Sequence, residues 1–93
     1  MEDRVYIISL YDYYGNLLTE KQKNYFEDYY FDNLTMEEIA ENDNVSKNAI
    51  SKQLINIKEK LNYYENILNL YSNKSKIKEL LDEETLNRII DYI

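Results

Sequence analysis

Lys47, Asn48, Ser51 and Lys52 lie within two helical turns of one another in the run "TMEEIAENDNVSKNAISKQL", Thr35 to Leu54. Those residue types suit the edge of a nucleic acid. Lysine meets phosphate or guanine, and asparagine pairs with adenine. With Ile50 placed inward, steps of 100° per residue bring Leu54, Ile57 and Leu61 to the same side. Asn48, Ser51, Lys52, Ile55 and Glu59 then face out, with Lys47 near the edge. An outward Ile55 can touch a thymine methyl, and it serves a protein partner equally well. The candidate nucleic-acid-binding set is Ser46, Lys47, Asn48, Ser51, Lys52 and Ile55.

Charge works against that chemistry. The chain has 18 acidic and 11 basic residues, a formal net charge of −7. From Ser46 to Leu61 there are four Lys and one Glu, so this segment carries +3 and the remainder −10. Glu37, Glu38, Glu41 and Asp43 lie on the helix that would cross a DNA backbone. So few net positive charges neutralise few phosphates, and any affinity for a polyanion should be weak and salt-sensitive. Three uses of the face stay open: nucleic-acid contact, protein contact, and an ordinary solvated surface.

Other chemistries are thinner still. The 93 residues contain no Cys and no His. That excludes disulfides, Cys/His zinc sites, a cysteine nucleophile and an imidazole base. Gly15 is the only glycine, so there is no glycine-rich phosphate loop. No carboxylate pair suggests catalysis. The expectation is a non-enzyme without metal, cofactor or small-molecule substrate. The N-terminus "MEDRVYIISLYDYY" reads neither as a signal peptide nor as a membrane span. A cytoplasmic location and no membrane contact are expected.

The elements that must hold the candidate face are helices. Proline is absent, and apolar residues recur at three and four, which predicts an all-α fold. A first helix should run from Glu2 or Asp3 to Tyr14, with the stripe Tyr6, Ile7, Leu10, Tyr11, Tyr14. Gly15 and Asn16 should end it through the left-handed conformation. Thr19 with Gln22 forms a capping-box spacing for a second helix, which Leu17 or Leu18 could staple. Its apolar face is Tyr25, Phe26, Tyr29, Tyr30. Thr35 with Glu38 caps a short third helix, with Ile39 and Ala40 inward.

"ENDN" then turns the chain, and Ser46 caps a fourth helix with no breaker before about Ser72. At ~1.5 Å per residue that helix would be about 40 Å long. "SNKS" should interrupt, followed by two short terminal helices with Asp82 as the cap between them. Lys74, Lys76 and Lys78 form a second basic cluster, a pattern most often found on a solvated helix face. There is neither linker nor internal repeat. The expected organisation is one domain: residues 1–73 as a helix-turn-helix with its long helix, and 74–93 as a C-terminal helical extension.

The third and fourth helices have the spacing of a helix-turn-helix. Ala40 is the small residue where two helices touch. Asn44, four later, is the turn, and Val45, Ile50 and Leu54 are apolar anchors. Asn stands where Gly is usual, and Asp43 where an apolar residue is common. The stretch "LTEKQKNYFEDYYFDNLTMEEIAENDNVSKNAISKQL" resembles region 4 of bacterial sigma factors, which predicts that kind of wingless helix-turn-helix. With "LYDYYGNLLTEKQ" before it and "LYS" after the long helix, the chain more closely resembles the YlxM family over about Leu10 to Asn73. These small bacterial helix-turn-helix proteins are linked, through gene neighbourhood, to the signal recognition particle pathway. The resemblance implies a regulatory or accessory protein that contacts a protein or RNA component of the particle. The rival expectation is a transcription regulator that binds DNA as a dimer, and a third is a purely structural dimer module.

Along the fourth helix, Ile50, Leu54, Ile57, Leu61, Tyr64, Leu68 and Tyr71 form a heptad seam. Tyr63, Ile67 and Leu70 widen it. A second chain could cover the distal part, with Tyr64, Ile67, Leu68 and Tyr71 as candidate dimer contacts. The terminal helices could also fold back on it within one chain.

Overall fold

A computed structural model describes residues 4–93 of the chain. Every described element is helical, with no strand among them. Helix α1 spans Arg4–Tyr14, α2 Glu20–Tyr30, α3 Met36–Asp43, α4 Lys47–Leu68, α5 Leu70–Leu80 and α6 Glu83–Ile89. Short 3-10 turns follow α1 (Gly15–Leu17) and α6 (Ile90–Tyr92). The expected start of α1 at Glu2 or Asp3 lies outside the described residues.

Both capping boxes form. Thr19 Oγ1 accepts from Gln22 N–H while Gln22 Oε1 accepts from Thr19 N–H. Thr35 and Glu38 repeat the pattern on α3. Each cap is worth about 1 kcal/mol, because it satisfies helix-end donors that have no partner within the helix.

The core lies where α1, α2 and α3 pack on the proximal part of α4. Ile7, Leu10 and Tyr14 meet Phe26 and Tyr30, then Ile39 and Ala40, then Ile50, Leu54, Ile57 and Leu61. Of the two leucines expected to staple α2, Leu18 is buried in the core and Leu17 is exposed. Arg4 ties the ends of α1 and α2 together. Its Nη2 donates to Tyr30 O at 2.6 Å and to Asn33 Oδ1 at 3.0 Å.

Three expectations are corrected. Gly15 has no positive φ. A Cβ there would lie 2.9 Å from the Tyr11 ring, so close packing of that ring demands the glycine, rather than a left-handed cap. The side chain of Val45 is not buried, being 40% exposed. Val45 anchors the turn through its backbone, its N–H donating to Ala40 O at 3.0 Å. Finally, α4 ends at Leu68 rather than near Ser72, giving 22 residues and about 33 Å. Asn69 breaks it at φ 55°, and "SNKS" lies inside α5 rather than interrupting the chain. The left-handed region costs a residue with a Cβ about 1–2 kcal/mol, and Asn is one of the few that visits it routinely. Among the described residues, the three non-glycine positions with positive φ are all Asn: Asn33, Asn44 and Asn69.

Beyond Leu61 the seam loses its register. Glu65, not an apolar residue, is the last buried position of α4. Its Oε1 accepts from Tyr14 Oη at 2.6 Å and from Tyr71 N–H at 3.2 Å. Its Oε2 accepts from Ser72 N–H at 3.1 Å and Ser72 Oγ at 2.8 Å. Leu70 N–H donates to Tyr14 Oη at 3.1 Å. A buried carboxylate thus supplies the cap that Asn69 does not provide for α5.

Candidate functional site

The turn that sets the candidate face is Asn44 at φ 56°, ψ 45°. It reverses the chain so that α3 crosses α4 with Ala40 buried between them. Ser46 Oγ then accepts from Ala49 N–H at 3.1 Å and starts α4. Its hydroxyl is therefore engaged in capping. Asn48, Lys52 and Ile55 are exposed, Ser51 is half-buried, and all four share one side of α4. Ile55 is 50% exposed, an apolar residue in the middle of a polar face.

Lys47 is less free than its position suggests. Its Nζ lies 2.9 Å from Glu37 Oε1 on α3. The hydrogen bond from Lys47 holds the Glu37 carboxyl below the usual range, and the same contact raises Lys47. Both groups are solvent-exposed, so the pair is weak and screened by salt. It still places a carboxylate where a phosphate would have to approach. Of the two lysines expected to meet a polyanion, only Lys52 stands without an ion-pair partner among the described residues.

Asp43 has a structural role that sequence reasoning missed. It accepts a hydrogen bond from Tyr25 Oη and an ion pair from Lys21 Nζ at 3.2 Å. Tyr25 first, then Lys21, pull its carboxyl below the usual value. The acidic residue at this turn therefore fastens α2 to the helix-turn-helix. A Tyr and a Lys four residues apart on α2 were the only available signal, and it is a faint one.

The candidate dimer residues divide. Tyr64 is half-buried and tilted against Tyr14, with ring centroids 6.1 Å apart. Tyr71 belongs to α5 and meets the Tyr6 ring edge-on at 5.3 Å. Both pack against the body of their own chain. Ile67 and Leu68 point outward, 58% and 46% exposed. The start of α5 thus folds back on α1. No helix of the described residues is long and apolar enough to cross a membrane.

A family model described as "Putative helix-turn-helix protein, YlxM / p13 like" (UPF0122) matches residues 1–91. The chain belongs to the UPF0122 family. Among its relatives, a UPF0122 protein of Ureaplasma urealyticum is 41% identical over 92 residues, covering 95% of this chain and 93% of its own. One from Malacoplasma penetrans is 39% identical over 84 residues, covering 90% and 78%. One from Clostridium kluyveri is 36% identical over 107 aligned positions, covering 100% and 96%. The family is described by its helix-turn-helix. The UPF0122 match takes in α5 and all of α6, past the point where the sequence resemblance stopped.

Proposed function

We propose that this chain is a non-enzymatic regulatory protein of the signal recognition particle pathway. It acts by placing the Asn48–Ser51–Lys52–Ile55 face of α4 against a protein component of the particle. The link to that pathway rests on the resemblance to the YlxM family. The choice of a protein partner rests on one observation: Glu37 pairs with Lys47, which leaves Lys52 as the one cation of the face without an ion-pair partner among the described residues. A face with one unpaired cation, an amide, a hydroxyl and an exposed isoleucine has the mixed character of a small protein interface. It neutralises too few phosphates to hold a nucleic acid at physiological salt.

The competing reading is a DNA-binding regulator. The observation that favours it is the geometry of the motif, with its Asn44 turn, both helices capped, and Asn48 and Lys52 outward. The two readings separate in one experiment. The purified chain is titrated with the particle's GTPase, its RNA and duplex DNA at low and physiological salt. Binding to the GTPase that persists at physiological salt and is lost in Ile55→Lys supports the proposal. Salt-steep binding to DNA or RNA, with none to the GTPase, overturns it. A pull-down from extract with and without nuclease gives the same distinction in a cellular mixture.

A further inference from the structure

The C-terminal arm, α5 with α6, packs on the body through α5, which leaves a groove against α1. The corner at Glu65 sets the α5 wall of that groove. The Tyr71 and Ser72 N–H groups donate to this carboxylate, so the wall is in place before any ligand arrives. Lys74 and Lys78, four residues apart, share one side of α5 and line the groove together with Ser75. Tyr71 lines it from the start of α5, and Asp12 and Tyr13 line it from α1.

The groove is rich in donors that have no acceptor. Neither lysine has an ion-pair partner among the described residues, Asp12 included. The side-chain hydroxyls of Ser75, Tyr13 and Tyr71 make no hydrogen bond among the described residues either. Lys74 is half-buried, which restricts where its ammonium can go. A restricted donor loses less entropy when a ligand arrives. Glu65, whose charge reaches Tyr13, has both oxygens occupied by donors from Tyr14, Tyr71 and Ser72. Its charge is thereby largely compensated, and Asp12 is the one opposing charge among the lining residues.

Size and charge select the ligand. The groove holds about 170 Å³, below the roughly 300–1,000 Å³ of sites that enclose a whole small molecule. It therefore takes one charged group. Ammonium and hydroxyl donors that converge on one space suit an oxyanion with several acceptor oxygens. A phosphate monoester offers three such oxygens and about −1.5 to −2 charges at neutral pH, which matches two lysines. A phosphodiester carries one charge per group and matches them less well.

We propose that the α1–α5 groove binds a phosphate dianion, free or as the terminal group of a small monoester. Lys74 and Lys78 are its charge partners, the Ser75 and Tyr13 hydroxyls are further donors, and Asp12 limits the affinity. This site shares no residue with the α4 face and does not depend on how that face is used.

Titrating the full chain with inorganic phosphate, and separately with adenosine monophosphate, tests this by nuclear magnetic resonance. Ionic strength is held fixed, at a slightly alkaline pH where both probes are mostly dianionic. Saturable shifts are expected at Lys74, Ser75 and Lys78, with a roughly millimolar Kd. Tighter binding of adenosine monophosphate identifies an ester as the ligand, and equal affinity identifies the free ion. Lys74→Gln with Lys78→Gln should abolish the shifts while circular dichroism stays unchanged. Asp12→Asn should tighten binding severalfold by removing the opposing charge. Shifts that fail to saturate by tens of millimolar, on the order of ten times the expected Kd, overturn the proposal. So does binding that survives the double lysine variant, an affinity unchanged in Asp12→Asn, or tighter binding of an oligonucleotide that carries only phosphodiesters.

Discussion

Asn44 holds the helix-turn-helix in a conformation that alanine resists. At φ 56°, Asn44→Ala should cost about 1–2 kcal/mol, whereas Asn44→Gly should be close to neutral. For a domain of this size, each kcal/mol moves the melting temperature by roughly 4–8 °C. A thermal melt of the two variants decides it, and equal melting temperatures would contradict the account. Ile50 is fully buried beneath the candidate face. Ile50→Asp would leave an unpaired charge there, with an expected loss of about 3–5 kcal/mol by the same melt. On the surface the expectation reverses. Glu37→Gln should leave stability nearly unchanged but release Lys47, so any residual affinity for duplex DNA should rise and steepen with salt. Lys52→Glu should lower it. These residues were legible because caps, turn and anchors follow local spacing. Asp43 and Arg4 were not, since their partners lie 18 residues or more away and no local pattern points to them.

At the scale of elements, the α4–α5 corner separates what periodicity can tell from what it cannot. Leu61, Tyr64, Leu68 and Tyr71 keep the three–four spacing across Asn69, so the pattern runs straight through a break in the helix. Glu65 also reads as surface, because carboxylates are almost never fully buried unless paired. Burial pushes its carboxyl upward. Tyr14, Ser72 and the backbone N–H groups of Tyr71 and Ser72 more than offset that, and the group ends below its ordinary value of 4.5. A depressed carboxyl contributes stability above its unfolded value and loses it as pH falls through the folded one. The corner should therefore hold from neutrality down to about 4.5 and loosen below that. The near-ultraviolet tyrosine signal should follow, with Tyr14 beside the carboxylate. Glu65→Gln should lose about 1–3 kcal/mol at neutral pH and abolish that acid-dependent step. An identical acid profile in the variant would assign the transition to other groups.

The whole molecule measures 50 by 26 by 24 Å, a body with an arm. An all-α fold was legible from the sequence, because helix periodicity is local and strong. The arm was half legible: its apolar residues were visible, but their direction depends on a corner that only the folded chain reveals. That corner also predicts an uneven rate of exchange between backbone amides and solvent. The first amides of a helix normally have no partner and exchange fast. In α5, Leu70, Tyr71 and Ser72 are all hydrogen-bonded to Tyr14 or Glu65. They should exchange slowly, on the timescale at which the body opens, while amides of α6 exchange orders of magnitude faster in dilute solution. Deuterium uptake resolved along the chain would display this as a slow island at the start of α5, flanked by a fast arm. Rapid uptake at Tyr71 and Ser72 would mean that the corner opens independently of the body.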